Sequence, residues 1–147
     1  MIRRTRYQGA IVENDKILLI RHTEHASGRS FWVIPGGGHE AQESEIACVT
    51  REMREETNLE VTVDRLLFEY HIPDDDTYAT RKTYLCRVQS GQASPGYEPE
   101  EDASAVYAIT EVAWFDLSSE EGWEEILFDN QILSRIMHDI RRELGYL

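Results

Sequence analysis

Cysteine is scarce: Cys48 and Cys86 are the 2 in 147 residues, with no spacing suited to a zinc site or a disulfide framework, so both read as core residues. Long apolar runs are missing too. No stretch of about eighteen apolar residues occurs, and the basic start MIRRTRYQG is not followed by an apolar segment, which leaves no membrane span or secretory leader and makes a cytoplasmic location the default. Positive charge is the third shortage. With 15 Lys and Arg against 28 Asp and Glu, the net charge is −13, so the basic footprint that grips duplex nucleic acid is absent. A small polyanion would be repelled as well unless metal cations and local arginines attract it. Neither an internal repeat nor a linker divides the chain, and 41% hydrophobic content suffices for one domain over residues 1–147 with a real core.

Against these absences stands one dense stretch, Pro35 to Leu59, PGGGHEAQESEIACVTREMREETNL. Its second half reads as a helix. At about 100° per residue, Glu55 lies roughly 60° to one side of Glu52 and Glu56 roughly 40° to the other, so three carboxylates share one face. Ile46, Val49 and Met53 form an apolar stripe beside them, and Arg51 and Arg54 are expected on the opposite flank. Like charges this close repel by about 3 kcal/mol per pair at an effective dielectric near 20. A cation removes that penalty, and hard carboxylate oxygens suit Mg²⁺ or Mn²⁺. The glycines Gly36, Gly37 and Gly38 in front of the helix let the main chain approach a ligand closely, so their carbonyls and amides are available to complete a coordination shell. An ordinary solvated helix of mixed charge is the plainer alternative for the helix taken alone.

The spacing adds to this. Gly37, Glu43, Arg51-Glu52, Met53, Glu55-Glu56, Asn58 and Leu59 together resemble the Nudix box of the Nudix (MutT-like) hydrolases, with looser likeness in FWVIPGG before it and EVAWFDL around Trp114. One position departs from the pattern: Asn58 stands where the family has glycine, and asparagine tolerates the left-handed turn required there. The resemblance implies an α/β fold, a Nudix-type α/β/α sandwich with a mixed β-sheet. It further implies metal-dependent hydrolysis of a diphosphate linkage in a nucleoside diphosphate derivative or a nucleoside triphosphate. Glu52, Glu55 and Glu56 then bind metal or activate water, with the Gly37 carbonyl as a further ligand and Glu43 and Arg51 in support. A distal acid from a later loop is common in the family; Glu98, Glu100 and Glu101 are the candidates.

Strands are expected over Tyr7–Glu13 and Lys16–Arg21 around an Asn14-Asp15 turn, then over Phe31–Ile34, Glu60–Ile72, Tyr78–Val88 and Glu111–Leu117. Thr23 to Ser30 reads as a loop, Pro73 to Asp76 as an acidic turn, and Gln89 to Ala105 as a mobile loop. From Asp129, Ile132, Leu133, Ile136, Met137, Ile140 and Leu144 recur at helical spacing up to a stop at Gly145; that stripe is core or interface. A homodimer through it or through the N-terminal strand is one expectation.

Outside the box, Arg21 and Arg29 are candidates for holding a terminal phosphate, since guanidinium forks match its oxygens. His22, His25 and His39 read as surface or packing residues. Phe31, Tyr78 and Tyr84 are candidates for stacking on a base, although strand aromatics are more often core. Pro73 resembles a proline of ADP-ribose-cleaving members at a slightly different spacing. Rival readings are a nucleotide-sensing module of the same fold, which the three intact acids disfavour, a metal-binding scaffold, and an isomerase of isoprenoid diphosphates, which nothing beyond the box suggests.

Overall fold

A computed structural model describes residues 4–72, 78–98 and 101–147, without the side chains of residues 101–103. Pro73 and the acidic turn therefore lie outside the described residues, as does Glu100. The chain opens on a hairpin, β1 (Arg4–Glu13) and β2 (Lys16–Glu24), followed by β3 (Ser30–Val33), β4 (Gly36–Gly38) and α1 (Glu45–Thr57). Then come β5 (Glu60–His71), β6 (Tyr78–Ser90), the short α2 (Glu101–Val106), β7 (Tyr107–Asp116), α3 (Trp123–Leu127) and α4 (Gln131–Glu143).

The hairpin turns at Asn14 and Asp15, whose φ values of 52° and 63° are the left-handed pair that a two-residue turn between twisted strands demands. Beyond it the two strands part. They pair only at Val12–Ile17 and Glu13–Lys16, after which β1 runs parallel to β6 and antiparallel to β4, while β2 takes β3 on one edge and β7 on the other. The seven strands form one mixed sheet, ordered β3-β2-β1-β6-β5 along its main path.

Alternation along the strands divides the interior in two. Ile11 and Leu18 face α1, where Val49, Met53, Leu59, Val61, Tyr84 and Cys86 complete a cluster. Their neighbours Ala10, Ile17 and Leu19 face the other way, onto Leu133, Ile136, Met137 and Ile140 of α4 together with Leu117 and Trp123. This is an α/β/α sandwich. Both cysteines are buried and free.

Several expectations need correction. β1 begins at Arg4, and β2 continues to Glu24, because β7 pairs with it all the way to Glu24–Tyr107 and so starts at Tyr107 rather than Glu111. Among the described residues, the region read as a mobile loop holds the end of β6, a segment up to Glu98 docked on α1, and α2. The glycines of the box form a strand, with Gly36 opposite Gln8 and Gly38 opposite Arg6. In the α1 stripe Val49 and Met53 are fully buried but Ile46 is 49% exposed, while Cys48, on another side of the helix, is buried. In the α4 stripe Leu133, Ile136, Met137 and Ile140 are buried in the core whereas Ile132 is 43% exposed, and β1 is paired along both edges. No helix among the described residues is long and apolar enough to cross a membrane.

Candidate metal and phosphate site

Ser44 starts α1 as its N-cap, accepting from the Ala47 amide at 3.1 Å, and Asn58 ends it with a φ of 63°. The left-handed turn expected at Asn58 is present. Between these caps the helix lays its acidic face against β4. The Gly36 amide donates to Glu56 Oε1 at 2.6 Å, and a Cβ on Gly37 would fall 2.5 Å from the Glu52 carboxylate, so only glycine admits this approach. Glu52 is 1% exposed and Glu56 0%.

Arg51 does not point away. Its Nε and Nη2 grip Glu43 at 2.7 and 3.0 Å, its Nη1 reaches Glu52 at 2.9 Å and Glu55 at 3.0 Å, and Nη2 also donates to the Gly38 carbonyl at 3.0 Å. Helical-wheel geometry misleads here because Arg51 lies only about 40° from Glu55, within the sweep of a long side chain drawn back by three carboxylates. Its hydrogen bond holds the Glu43 carboxyl down at about 2, and Glu43 in turn pushes the Arg51 guanidinium up. Arg54 keeps the expected direction and pairs with Glu60 at the surface.

The far end of the helix meets the chain again after β6. Ser94, Gly96 and Tyr97 donate their amides to the carbonyls of Thr57, Glu56 and Glu55 at 3.0, 2.9 and 2.9 Å, satisfying orphan acceptors of the last turn. Gly96 is required there, since a Cβ would meet the Glu55 carbonyl oxygen at 1.8 Å. This docking brings Glu98 to Glu56. Among the three candidate distal acids, Glu98 is the one placed at the site; the side chain of Glu101 and all of Glu100 lie outside the described residues.

Burial dominates the electrostatics. It pushes the Glu52 carboxyl up to about 7, with Glu55 adding to the shift and Arg51 opposing it. Glu56 is raised well above the ordinary carboxylate range, first by burial and then by Glu98. Glu52 Oε2 and Glu56 Oε2 are buried without a hydrogen-bond partner, as is Nε2 of His22, a residue held down at about 4 by burial and by the Arg6 charge. Paired acids with orphaned oxygens around a glycine cradle fit a divalent cation, which offers those atoms the ligand the protein itself does not.

The structure brings other residues to this face and leaves some away. Arg21 shares the opposite face with its cross-strand neighbours Trp32 and Glu111, donating to Ser30 Oγ at 2.9 Å and to Glu111 at 3.1 Å. Strand alternation sends it away from the acids and sends His22 toward them. Arg29 is exposed in the β2–β3 turn. Besides Arg51, Arg6 lies close enough for its charge to act on Glu52, Glu56 and His22, and its Nη2 donates to the Ile34 carbonyl at 2.9 Å. Sequence reasoning missed it, since nothing local shows that β1 pairs with the glycines. Tyr84 is buried, with its hydroxyl on Glu45 at 2.8 Å, whereas Tyr78 lies among the guanidinium groups of Arg4, Arg6 and Arg81. Phe31 packs edge-on against both His22 and Tyr107. His25 meets the Ser104 carbonyl at 3.0 Å, and His39 packs near Tyr7.

Comparison with known proteins identifies the family and the fold. A family model described as NUDIX domain matches residues 3–134. Over 96 residues the chain is 32% identical to the NAD-capped RNA hydrolase NudC of Photobacterium profundum, covering 64% of this chain and 34% of that protein, so the chain spans about a third of its length. A NUDIX hydrolase from Nitrosomonas europaea shares the fold with a TM-score of 0.70 at 20% identity, over 96% of this chain and 90% of that one. A UDP-X diphosphatase does so with a TM-score of 0.66 at 20% identity, over 97% and 64%.

Proposed function

The chain belongs to the NUDIX domain family, and from that premise we propose that it hydrolyses a phosphoric anhydride linkage in a small nucleotide-type substrate, acting as a single domain with a divalent cation. The observation that carries this reading is the pair of buried carboxylates, Glu52 and Glu56, each with one unpartnered oxygen, against Gly36 and Gly37. A bound Mg²⁺ or Mn²⁺ supplies acidity to a coordinated water and positive charge at the phosphate oxygens.

Within that scheme Glu56, Glu52 and Glu55 hold the metal together with the Gly37 carbonyl. Glu52 is the first choice for the base that takes the proton of the attacking water, because its burial keeps it far more basic than an exposed acid. Glu98 is the distal acid. Arg51 and Glu43 brace the acids: the guanidinium fixes Glu52 and Glu55 in orientation, and Glu43 fixes the guanidinium. Arg6, rather than Arg21 or Arg29, is our candidate for attracting the substrate phosphates, since its charge acts on Glu52 and Glu56.

Similarity to a protein named NAD-capped RNA hydrolase puts nucleoside diphosphate derivatives ahead of nucleoside triphosphates, and a net charge of −13 favours a small molecule over duplex nucleic acid. A cytoplasmic location goes with this reading. The test is product release from a panel of NAD, ADP-ribose, nucleotide sugars, dinucleoside polyphosphates and nucleoside triphosphates, with Mg²⁺ and with EDTA. Metal-dependent release from one class names the substrate. Binding of nucleotides without release from any of them, in Mg²⁺ or Mn²⁺, would instead support the nucleotide-sensing module.

A further inference from the structure

We propose that His22, Glu56 and Glu98 hold one divalent cation through a nitrogen and two carboxylate oxygens, so that the site favours ions of the Mn²⁺ to Zn²⁺ series over Mg²⁺. This rests on the reading that the α1 acids bind metal, and adds to it a ligand from β2 and the class of ion selected.

Three elements distant in sequence deliver these groups to one point. β2 brings His22, α1 brings Glu56, and the segment docked by Gly96 brings Glu98. One donor atom from each lies within 4.8 Å of the others, with His22 Nε2 and Glu98 Oε2 at 3.8 Å. An ion about 2.1 Å from each donor sets them roughly 3 to 4 Å apart, so side-chain shifts below an ångström close the shell. Two residues of the cluster carry an atom, His22 Nε2 and Glu56 Oε2, that is buried with no hydrogen-bond partner, and Glu56 is wholly buried. Buried polar atoms are almost always satisfied, so two such atoms on residues of one cluster mark the place of a missing partner. A cation suits that place, because two carboxylates meet there.

The imidazole is also aimed in advance. It stacks on Tyr107 at 5.4 Å between ring centres and meets Phe31 edge-on at 5.7 Å, so its ring orientation is set by packing before any ion arrives. Imidazole nitrogen suits the later first-row ions, whereas Mg²⁺ takes carboxylate and water oxygens and gains least from it.

Pulsed EPR on the protein loaded with one equivalent of Mn²⁺ tests this without any turnover. The expected result is the modulation of a directly bound ¹⁴N, lost in His22→Gln and retained in His39→Gln. By calorimetry, the preference for Co²⁺ over Mg²⁺ should fall about tenfold in His22→Gln. Mn²⁺ bound without nitrogen coupling, or coupling that survives His22→Gln, overturns the proposal and leaves the hydrolase reading standing. Failure of the wild-type protein to bind Mn²⁺ overturns both. Glu98→Gln supplies an arm that does not depend on folding of the histidine variant: about tenfold weaker Mn²⁺ binding is expected, and unchanged affinity overturns the proposal.

Discussion

The two faces of the sheet are built from the same alternating strands and differ in what they leave unsatisfied. On the α4 face, three polar groups at the edge of the apolar cluster close on backbone partners: Trp123 Nε1 on the Asp116 carbonyl at 2.7 Å, Asn130 Nδ2 on the Trp32 carbonyl at 3.0 Å, Arg141 Nε on the Leu117 carbonyl at 3.1 Å. On the α1 face the apolar cluster stops short of Glu52, Glu56 and His22, whose buried atoms are left open. A face with orphaned acids gives up stability and keeps atoms that a cation would need, which on the proposed reading separates the fold's anchor from its chemistry.

The largest test of this contrast is Glu56→Gln. We expect turnover to drop roughly a hundredfold or more, because the proposed metal ligand is lost. The same substitution should raise the Tm of the EDTA-treated protein at pH 8 by about 3 °C, because a buried carboxylate disappears while the Gly36 amide keeps an oxygen to donate to. A variant both inactive and less stable would break the contrast. On the other face, Ile140→Ala should destabilise by about 3 kcal/mol in urea titrations and leave kcat unchanged at a temperature where the variant is folded. A loss of kcat would show that the two faces are coupled.

Glu43 sharpens the comparison at the border of the site. Its carboxyl is held near 2 in the folded chain against an ordinary 4.5, so its contribution is complete above about pH 4.5 and is lost as the pH falls toward 2. Glu43→Gln should therefore lower stability by about 2 kcal/mol at pH 7, with the gap to wild type narrowing below pH 4.5 in denaturation curves. A gap independent of pH would mean that the Arg51 ion pair contributes nothing. The smallest effect belongs to Arg21→Ala: its guanidinium is on the α4 side with Glu111, so kcat/KM should change by no more than about threefold. A larger loss would return Arg21 to the phosphates.

Much of the site was legible because its signals are local. Glu52, Glu55 and Glu56 share a face by helical arithmetic alone, Asn58 ends the helix where a left-handed residue was expected, and Asn14-Asp15 turns the hairpin. What went unread depends on pairing across the chain. The glycines gave no strand signal, since β4 exists only because β1 lies beside it. Arg6 is brought to the acids by the same pairing. Arg51 was misplaced because backbone angles say where a side chain starts, not where several carboxylates draw its tip. The stretch after β6 looked mobile from its Ser, Gly and Pro content, yet Gly96 allows it to lie flat on the end of α1.

The helix, its end at Asn58, the acids on one face, the glycines before them and the apolar stripe of α4 are fixed by residues close together in the chain. Which cations lie near those acids, that Arg21 does not, and that Glu98 and His22 do, follows from the folded arrangement. Those outcomes depend on strand register and on the docking of distant backbone, and a shift of one residue in β2 would have exchanged Arg21 for His22.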